Sequence, residues 1–255
     1  MIEKPLDDFD SRIEEIAAEF APGSRFLRIY RDVVSRVDWN SISEIRENYR
    51  NQSQDFRVVG GFKYLDLPYW LADKVRVAAA LGLADDEPRT VLDIGMGAGH
   101  FAAVCQALGH RVVGTDISVP LYDDICRALR VDRRIAPTRH RTPMPDLGMK
   151  FDFITVIGQI FHIVRRLPSG ERVHWSVEDW SYFLDDLISN HMYYPGEIYI
   201  HLNPNRYADG LRLDETLLAW CEAKGAAVNH KLGKIRFDDI TGGRRLGDGA
   251  RMASS

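Results

Sequence analysis

The chain has 255 residues with a formal net charge of −4, and 45% of its residues are apolar and 27% are charged. This length and apolar content suit one α/β domain, alone or with a substantial extension. The small negative charge excludes a molecule-wide positive field for capturing phosphate backbones, so we expect no DNA partner. The three cysteines are widely spaced and form no C-x-x-C pair. That usage favours a reducing, cytoplasmic setting.

Residues 1–85 have the pattern of a helical extension. Apolar residues recur at helical spacing within 13–20 and 26–34, and Pro68 suits the first turn of a helix that runs to about Leu81. The first residues lack the basic start and apolar stretch of a signal peptide. No apolar run reaches the ~20 residues that span a bilayer, so we expect no membrane partner.

Residues 86–240 alternate short apolar runs with amphipathic segments. The predicted strands are Thr90–Ile94, Arg111–Thr115, Arg134–Thr138, Phe151–Ile157, Glu197–Leu202, Ala227–Lys231 and Ile235–Asp239. The predicted helices are Phe101–Leu108, Val119–Leu129, Val177–Asn190 and Asp214–Lys224. This alternation predicts a mainly parallel sheet, and the short link near Gly233 forces a terminal antiparallel hairpin. Residues 241–255 are expected to form a flexible tail.

A glycine run follows the first predicted strand and reads Asp93-Ile94-Gly95-Met96-Gly97-Ala98-Gly99. Open α/β sheets bind ligands at the carboxyl ends of their strands, and glycines let a ligand approach the backbone closely. The second strand ends at Asp116. A carboxylate at that position can accept hydrogen bonds from both hydroxyls of a ribose.

The glycine run resembles motif I of class I S-adenosylmethionine (SAM)-dependent methyltransferases. Asp116 resembles their ribose-binding acid, and residues 151–158 resemble their fourth strand. The resemblance covers roughly residues 88–240. It implies a Rossmann-like α/β fold, with a mostly parallel seven-stranded sheet, a C-terminal antiparallel hairpin and the N-terminal helical extension. It also implies SAM as cofactor and S-adenosylhomocysteine (SAH) as product. The implied SAM contacts are Asp93, Gly95, Met96, Gly97, Gly99, Asp116, Ile117, Gly158 and Gln159.

The sequence departs from this family in one place and leaves a rival open. Many members carry an acid after the third strand that contacts adenine, whereas residues 138–145 contain none. The Thr142 hydroxyl or a backbone carbonyl could replace it. Residues 97–102 also fit G-x-G-x-x-A, so an NAD-dependent oxidoreductase is an alternative, as is a cofactor-binding domain without activity. A dehydrogenase leaves the fourth-strand resemblance unexplained.

Methyl transfer from SAM is an in-line displacement, and a hydroxyl acceptor usually needs a base. His162 follows the fourth strand and is the candidate catalytic base, although it could equally cap a loop or contact adenosine; His174 and His201 are alternatives. The candidate acceptor-binding residues are Tyr64, Trp70, Arg165, His174, Trp175 and Asn203. The tyrosine and the tryptophans could instead pack the core, and Asn203 could be a turn residue.

The remaining polar patterns set limits on partners. Arginines cluster at positions 127, 130, 133, 134, 139 and 141, either as a solvated face or as a patch for an anionic substrate. We expect no metal, because no ligand cluster has suitable spacing. The sequence therefore predicts a cytoplasmic methyltransferase for a small-molecule hydroxyl, of a carbohydrate or a secondary metabolite. Methyl transfer to protein or RNA is the alternative.

Overall fold

A computed structural model describes residues 8–50, 61–85, 87–166, 168, 172–207, 210–242 and 246. The helices labelled α1–α8 here are Phe9–Ala17, Arg25–Ser35, Trp39–Arg50, Leu67–Ala80, His100–Ala107, Pro120–Ala128, Val177–Asp186 and Glu215–Ala223. The strands β1–β11 are Thr90–Ile94, Arg111–Asp116, Arg133–Ile135, Phe151–Ile157, Ile163–Arg166, Arg172–His174, Met192–His201, Asn205–Tyr207, Gly210–Arg212, Ala227–Asn229 and Lys234–Ile240.

Helices begin where the sequence provides a cap for the free N–H groups of the first turn. Ser24 Oγ accepts a hydrogen bond from the Leu27 N–H at 3.2 Å and so starts α2. Ser176 and Asp179 form a reciprocal capping box that starts α7. Pro68 lies in the first turn of α4, where its missing N–H costs no hydrogen bond.

Seven strands form one sheet in the order β10-β11-β7-β4-β1-β2-β3. β1 and β7 each pair with β4 in parallel, and β2 pairs with β3 in parallel. β11 is antiparallel to both β10 and β7. The link from β10 to β11 is too short for a parallel crossover. The predicted mostly parallel sheet with a C-terminal antiparallel hairpin is therefore confirmed.

Contacts divide the chain into two compact units. The first consists of residues 1–89 and 96–135, and in it α4 packs against α1, α2 and α5. The second consists of residues 90–95 and 136–255, and its core lies around β4 and β7. Fully buried side chains of the first unit include Tyr30, Leu65, Leu67 and Leu71. Those of the second unit include Phe151, Phe153, Trp180 and Phe237.

Within the first unit, His110 connects the segment before β2 to the end of the helical region. The buried imidazole accepts at Nδ1 from the Arg89 N–H at 3.1 Å and donates from Nε2 to the Leu83 carbonyl at 2.8 Å. The two ring nitrogens thus satisfy one buried and one part-buried backbone group. This histidine is therefore structural.

Several predicted boundaries move. β3 ends at Ile135, earlier than the predicted Thr138, because Pro137 has no N–H to continue the pairing. The helix predicted over Val177–Asn190 stops at Asp186 and continues as a π-helical turn. The pattern also missed two short hairpins, β5–β6 and β8–β9, because such short strands carry little period-two signal.

No described helix is long and apolar enough to cross a membrane. Most of the predicted tail, residues 243–245 and 247–255, lies outside the described residues. Leu246 is buried, and its N–H donates to Asp185 at 2.6 Å.

Candidate functional site

The glycine loop between β1 and α5 has an unusual backbone. Gly95, Gly97 and Gly99 have φ values of 72°, 57° and 79°, a left-handed conformation that disfavours residues with a Cβ. At Gly99 a Cβ would also lie 2.8 Å from the Cys126 sulfur. At Gly97 a Cβ would meet no atom within 4 Å, so this glycine faces open space. The loop therefore exposes main chain at Gly97.

Asp116, at the end of β2, is held against this loop in the first unit. Its Oδ2 accepts from the Gly97 N–H at 2.7 Å, and its Oδ1 accepts from the Ile117 N–H at 2.7 Å. Burial raises the pKa of Asp116, while the two N–H donors and Arg133 lower it. A carboxylate has about four lone-pair sites, so two N–H groups leave capacity for further donors.

Met96 and Ile117 flank Asp116 differently. The Met96 side chain is buried, and a Cβ on Gly114 would overlap it, so this methionine packs beneath the loop. Its N–H donates to the Thr115 carbonyl at 3.1 Å. Ile117 is 51% exposed, which makes it an apolar surface next to the carboxylate.

In the second unit, four of the predicted cofactor residues lie at the carboxyl ends of β1 and β4. Asp93 is buried and accepts from the Thr155 hydroxyl at 3.0 Å. The Gln159 amide donates to the Gly95 carbonyl, and also to the Ile157 carbonyl at 3.2 Å. Gln159 therefore closes over the first glycine of the loop, where a Cβ on Gly95 would overlap its side chain.

Gly158 directly follows β4 and has a φ of 66°. Its N–H donates to the His201 carbonyl at 2.8 Å, and its carbonyl accepts from the Asn203 amide. Asn203 thus fixes the backbone after β4. Asn203 itself is exposed.

His162 lies inside an aromatic cluster of the second unit, formed by Phe161, His162, His174, Trp175, Trp180 and Phe183. It is 3% exposed, whereas His174, on β6, is only half-buried. The two imidazole rings are 5.3 Å apart between centroids. Burial lowers the pKa of His174, and the nearby His162 lowers it further.

The structure places the other predicted acceptor residues of the second unit as follows. Trp175 is 3% exposed, and its Nε1 has no hydrogen-bond partner among the described residues. Arg165, on β5, is exposed. Trp175 therefore packs in the core while retaining an indole donor.

Tyr64 and Trp70 belong to a second aromatic group, in the first unit, together with His100 and Tyr122. The Tyr64 ring lies 5.1 Å from Trp70 and 5.6 Å from Tyr122 between centroids. His100 Nε2 lies 3.0 Å from the Tyr64 carbonyl, and burial lowers the pKa of His100 to about 3. An imidazole with that pKa is uncharged at neutral pH.

Sequence reasoning missed His100 and Tyr122 as members of this group. The signal available was the position of His100, directly after Gly99, at the first residue of α5. It also treated all the clustered arginines alike. The side chain of Arg127 is 77% exposed, but that of Arg133 is 4% exposed. Within the described ranges no group of three or more potential ligands could hold a metal ion.

Residues 66–167 match the model of a family described as a methyltransferase domain. The match includes the glycine loop, Asp116 and β4, and the sheet has the strand arrangement that the resemblance implied. Residues 66–167 are thus similar to a methyltransferase domain. No curated protein matches the chain in sequence.

Several solved structures resemble the chain at low sequence identity. An O-methyltransferase family protein from Burkholderia thailandensis is 12% identical, with a TM-score of 0.49 over 75% of this chain and 62% of that one. CalS10, an amino pentose methyltransferase from Micromonospora echinaspora, is 22% identical, with a TM-score of 0.36 over 52% and 50%. Streptomyces venezuelae DesVI is 14% identical, with a TM-score of 0.39 over 52% and 50%. The chain thus spans about half the length of the last two proteins.

Proposed function

We propose that the chain is an enzyme that transfers a methyl group from SAM to a small-molecule acceptor. The observation that carries this proposal is the Asp116 carboxylate, fixed by two backbone N–H groups beside the open face of Gly97. The match of residues 66–167 to a methyltransferase-domain model favours methyl transfer over the alternative of an NAD-dependent oxidoreductase.

The residues present fit the chemical groups of SAM. Asp116 retains acceptor capacity for a ribose diol, and exposed Ile117 offers an apolar surface for adenine. The Asp93 carboxylate and the main-chain carbonyls of the glycine loop suit the ammonium group of the methionine part of SAM. The proposed SAM contacts are Asp93, Gly95, Met96, Gly97, Gly99, Asp116, Ile117, Gly158 and Gln159. When bound, SAM supplies an electrophilic methyl group on its sulfonium.

Calorimetric titration with SAH, SAM and NAD⁺ tests the cofactor. We expect both sulfur ligands to bind and NAD⁺ not to bind, and we expect Asp116→Ala to lose affinity because the ribose acceptor is gone. Asp32→Ala, which removes one partner of an exposed ion pair with Arg36, is the matched control and should bind like wild type. Binding of NAD⁺ alone would overturn the proposal.

For the acceptor, we propose a hydroxyl of a carbohydrate or secondary metabolite. Supporting this choice, the indole N–H of Trp175 has no hydrogen-bond partner among the described residues and could donate to a hydroxyl oxygen. The proposed contacts are Tyr64, Trp70, Arg165, His174, Trp175 and Asn203. The exposed basic residues Arg139, His140 and Arg141 support the alternative, a protein or RNA acceptor. Transfer of labelled methyl groups to panels of each acceptor class distinguishes the two.

A hydroxyl acceptor loses its proton to a base as it attacks. His162 is the proposed base, with the neighbouring His174 as the alternative. His162 is 3% exposed and both ring nitrogens of His174 are buried, so exposure does not favour one imidazole over the other. Because the pKa of His174 is lowered by burial and by His162, His174 stays in its basic form at neutral pH. We expect His162→Ala to slow transfer strongly while SAH affinity is kept. Normal transfer by His162→Ala together with slow transfer by His174→Ala would instead assign the base to His174.

We also propose that residues 86–240 carry methyl transfer and that residues 1–85 form a helical extension. A cytoplasmic location is proposed on the grounds that the three cysteines are buried and form no disulfide within the part of the chain that the structure describes.

A further inference from the structure

Arg133, on β3, is the exception among the clustered arginines. Its side chain is 4% exposed, although arginine is seldom buried unless it is paired. Its Nε lies 2.9 Å from the Asp123 carboxylate, and its Nη2 donates to the Ile117 carbonyl at 2.7 Å. Its Nη1 is buried and has no hydrogen-bond partner among the described residues. A solvated face does not explain this side chain.

These contacts hold the Arg133 cation near the end of β2, where Asp116 lies. The hydrogen bond to the Ile117 carbonyl fixes the peptide between Ile117 and Ser118, one residue beyond Asp116, and the ion pair anchors the guanidinium to α6. In the pairing of β2 with β3, Arg133 aligns with Gly114, two residues before Asp116. Arg133 therefore acts on the position of Asp116 through the backbone as well as through its charge.

The charges that act on Asp116 come from each element packed around it. The N–H groups of Gly97 and Ile117 and the Arg133 cation favour the ionised carboxylate, whereas burial and the like charge of Asp123 oppose it. Tyr122, on α6, has its own pKa raised to about 12 by burial, so it stays uncharged at neutral pH. Arg133 is thus the cation that balances two neighbouring carboxylates.

We propose that Arg133 is a positioning residue that keeps Asp116 ionised and oriented to accept the ribose hydroxyls of SAM. The proposal rests on the proposed function of the glycine loop and Asp116. It assigns a role in cofactor binding to Arg133, which acts on Asp116 through the Ile117 backbone and through its charge and does not itself touch SAM.

The test is SAH affinity, measured by calorimetry from about pH 5 to pH 8, for wild type, Arg133→Met and Arg133→Lys. Without the cation, the pH below which SAH affinity falls should move upwards in Arg133→Met. If SAH binds only the ionised carboxylate, a midpoint that is one pH unit higher in Arg133→Met weakens SAH binding about tenfold at any pH below the midpoints of both proteins. Arg133→Lys keeps the charge and should keep the wild-type midpoint. SAH should nevertheless bind more weakly at every pH, because a lysine ammonium lacks the planar guanidinium that contacts both Asp123 and the Ile117 carbonyl.

Arg134→Met is the matched control, because the neighbouring Arg134 pairs with exposed Asp132 and should leave the profile unchanged. If Arg133→Met does not fold, Asp123→Asn provides the test. It removes the negative charge that opposes ionisation of Asp116, so the midpoint of SAH affinity should move to lower pH. An unmoved midpoint in both Arg133→Met and Asp123→Asn, with wild-type affinity, would overturn the proposal.

Carboxyl NMR of the ligand-free protein separates this inference from the proposed function. An upward change in the pKa of Asp116 in Arg133→Met would support the electrostatic role even if wild type bound no SAH, and in that case only the proposed function would fail. An unchanged pKa would overturn the electrostatic role even if wild type bound SAH tightly.

Discussion

Asp116→Asn gives the sharpest test of the cofactor site because it changes charge without changing shape. The carboxylate accepts from two backbone N–H groups, one on each oxygen. An asparagine has a single oxygen, so its NH₂ must face one of these N–H donors and that hydrogen bond is lost. The single amide oxygen of the asparagine cannot accept from a backbone N–H and from both ribose hydroxyls.

The magnitude follows from the bonds involved. A hydrogen bond to a charged group contributes about 1.5–3 kcal/mol. Loss of one such bond to the ribose therefore weakens SAH binding about 10- to 150-fold. Stability should change less, because burial opposes the charge of Asp116 and its removal offsets part of the lost bond.

Calorimetry with SAH and thermal unfolding measure these two effects separately. Asp152→Asn is the matched control, because Asp152 accepts from the Thr90 N–H at 2.8 Å and from its hydroxyl at 2.7 Å, both through one oxygen. An asparagine oxygen can accept both, so we expect wild-type SAH affinity. A folded Asp116→Asn variant that binds SAH as tightly as wild type would refute the assignment of Asp116 to the ribose.

Three further predictions concern the scaffold. His110→Phe should lower the free energy of unfolding in urea by roughly 2–4 kcal/mol, because the buried Leu83 carbonyl and the part-buried Arg89 N–H lose their hydrogen bonds to the imidazole. A loss under about 1 kcal/mol would contradict the structural role. His230 ion-pairs with two glutamates of α8, which raises its pKa, so its contribution to stability is complete below its unfolded pKa near 6.5 and is lost as pH rises through the folded value. Thermal unfolding should show this slope in wild type and not in His230→Ala. Gly95→Ala should destabilise the loop more than Gly109→Ala destabilises its turn, because both glycines have positive φ but only at Gly95 would a Cβ overlap the Gln159 side chain; equal losses of melting temperature would show that Gln159 moves aside freely.

The elements with strong local patterns could be predicted from sequence. β1 and β4 have the predicted bounds because their apolar runs end at glycines and polar residues. The terminal hairpin followed from the short link at Gly233. The hairpin of Ile163–Arg166 with Arg172–His174 could not be predicted, since its pairing joins segments too short for a period-two pattern.

The sequence by itself determined the α/β class, the order of its strands along the chain, and the glycine loop followed by an acid, because these features depend on local spacing and on backbone conformations that glycine permits. Only the tertiary structure decided which polar side chains are buried. His162 and Arg133 both read as accessible polar residues, and both are enclosed by groups from distant parts of the sequence. Burial and electrostatic environment depend on which elements pack together, and composition and periodicity do not encode that information at single positions.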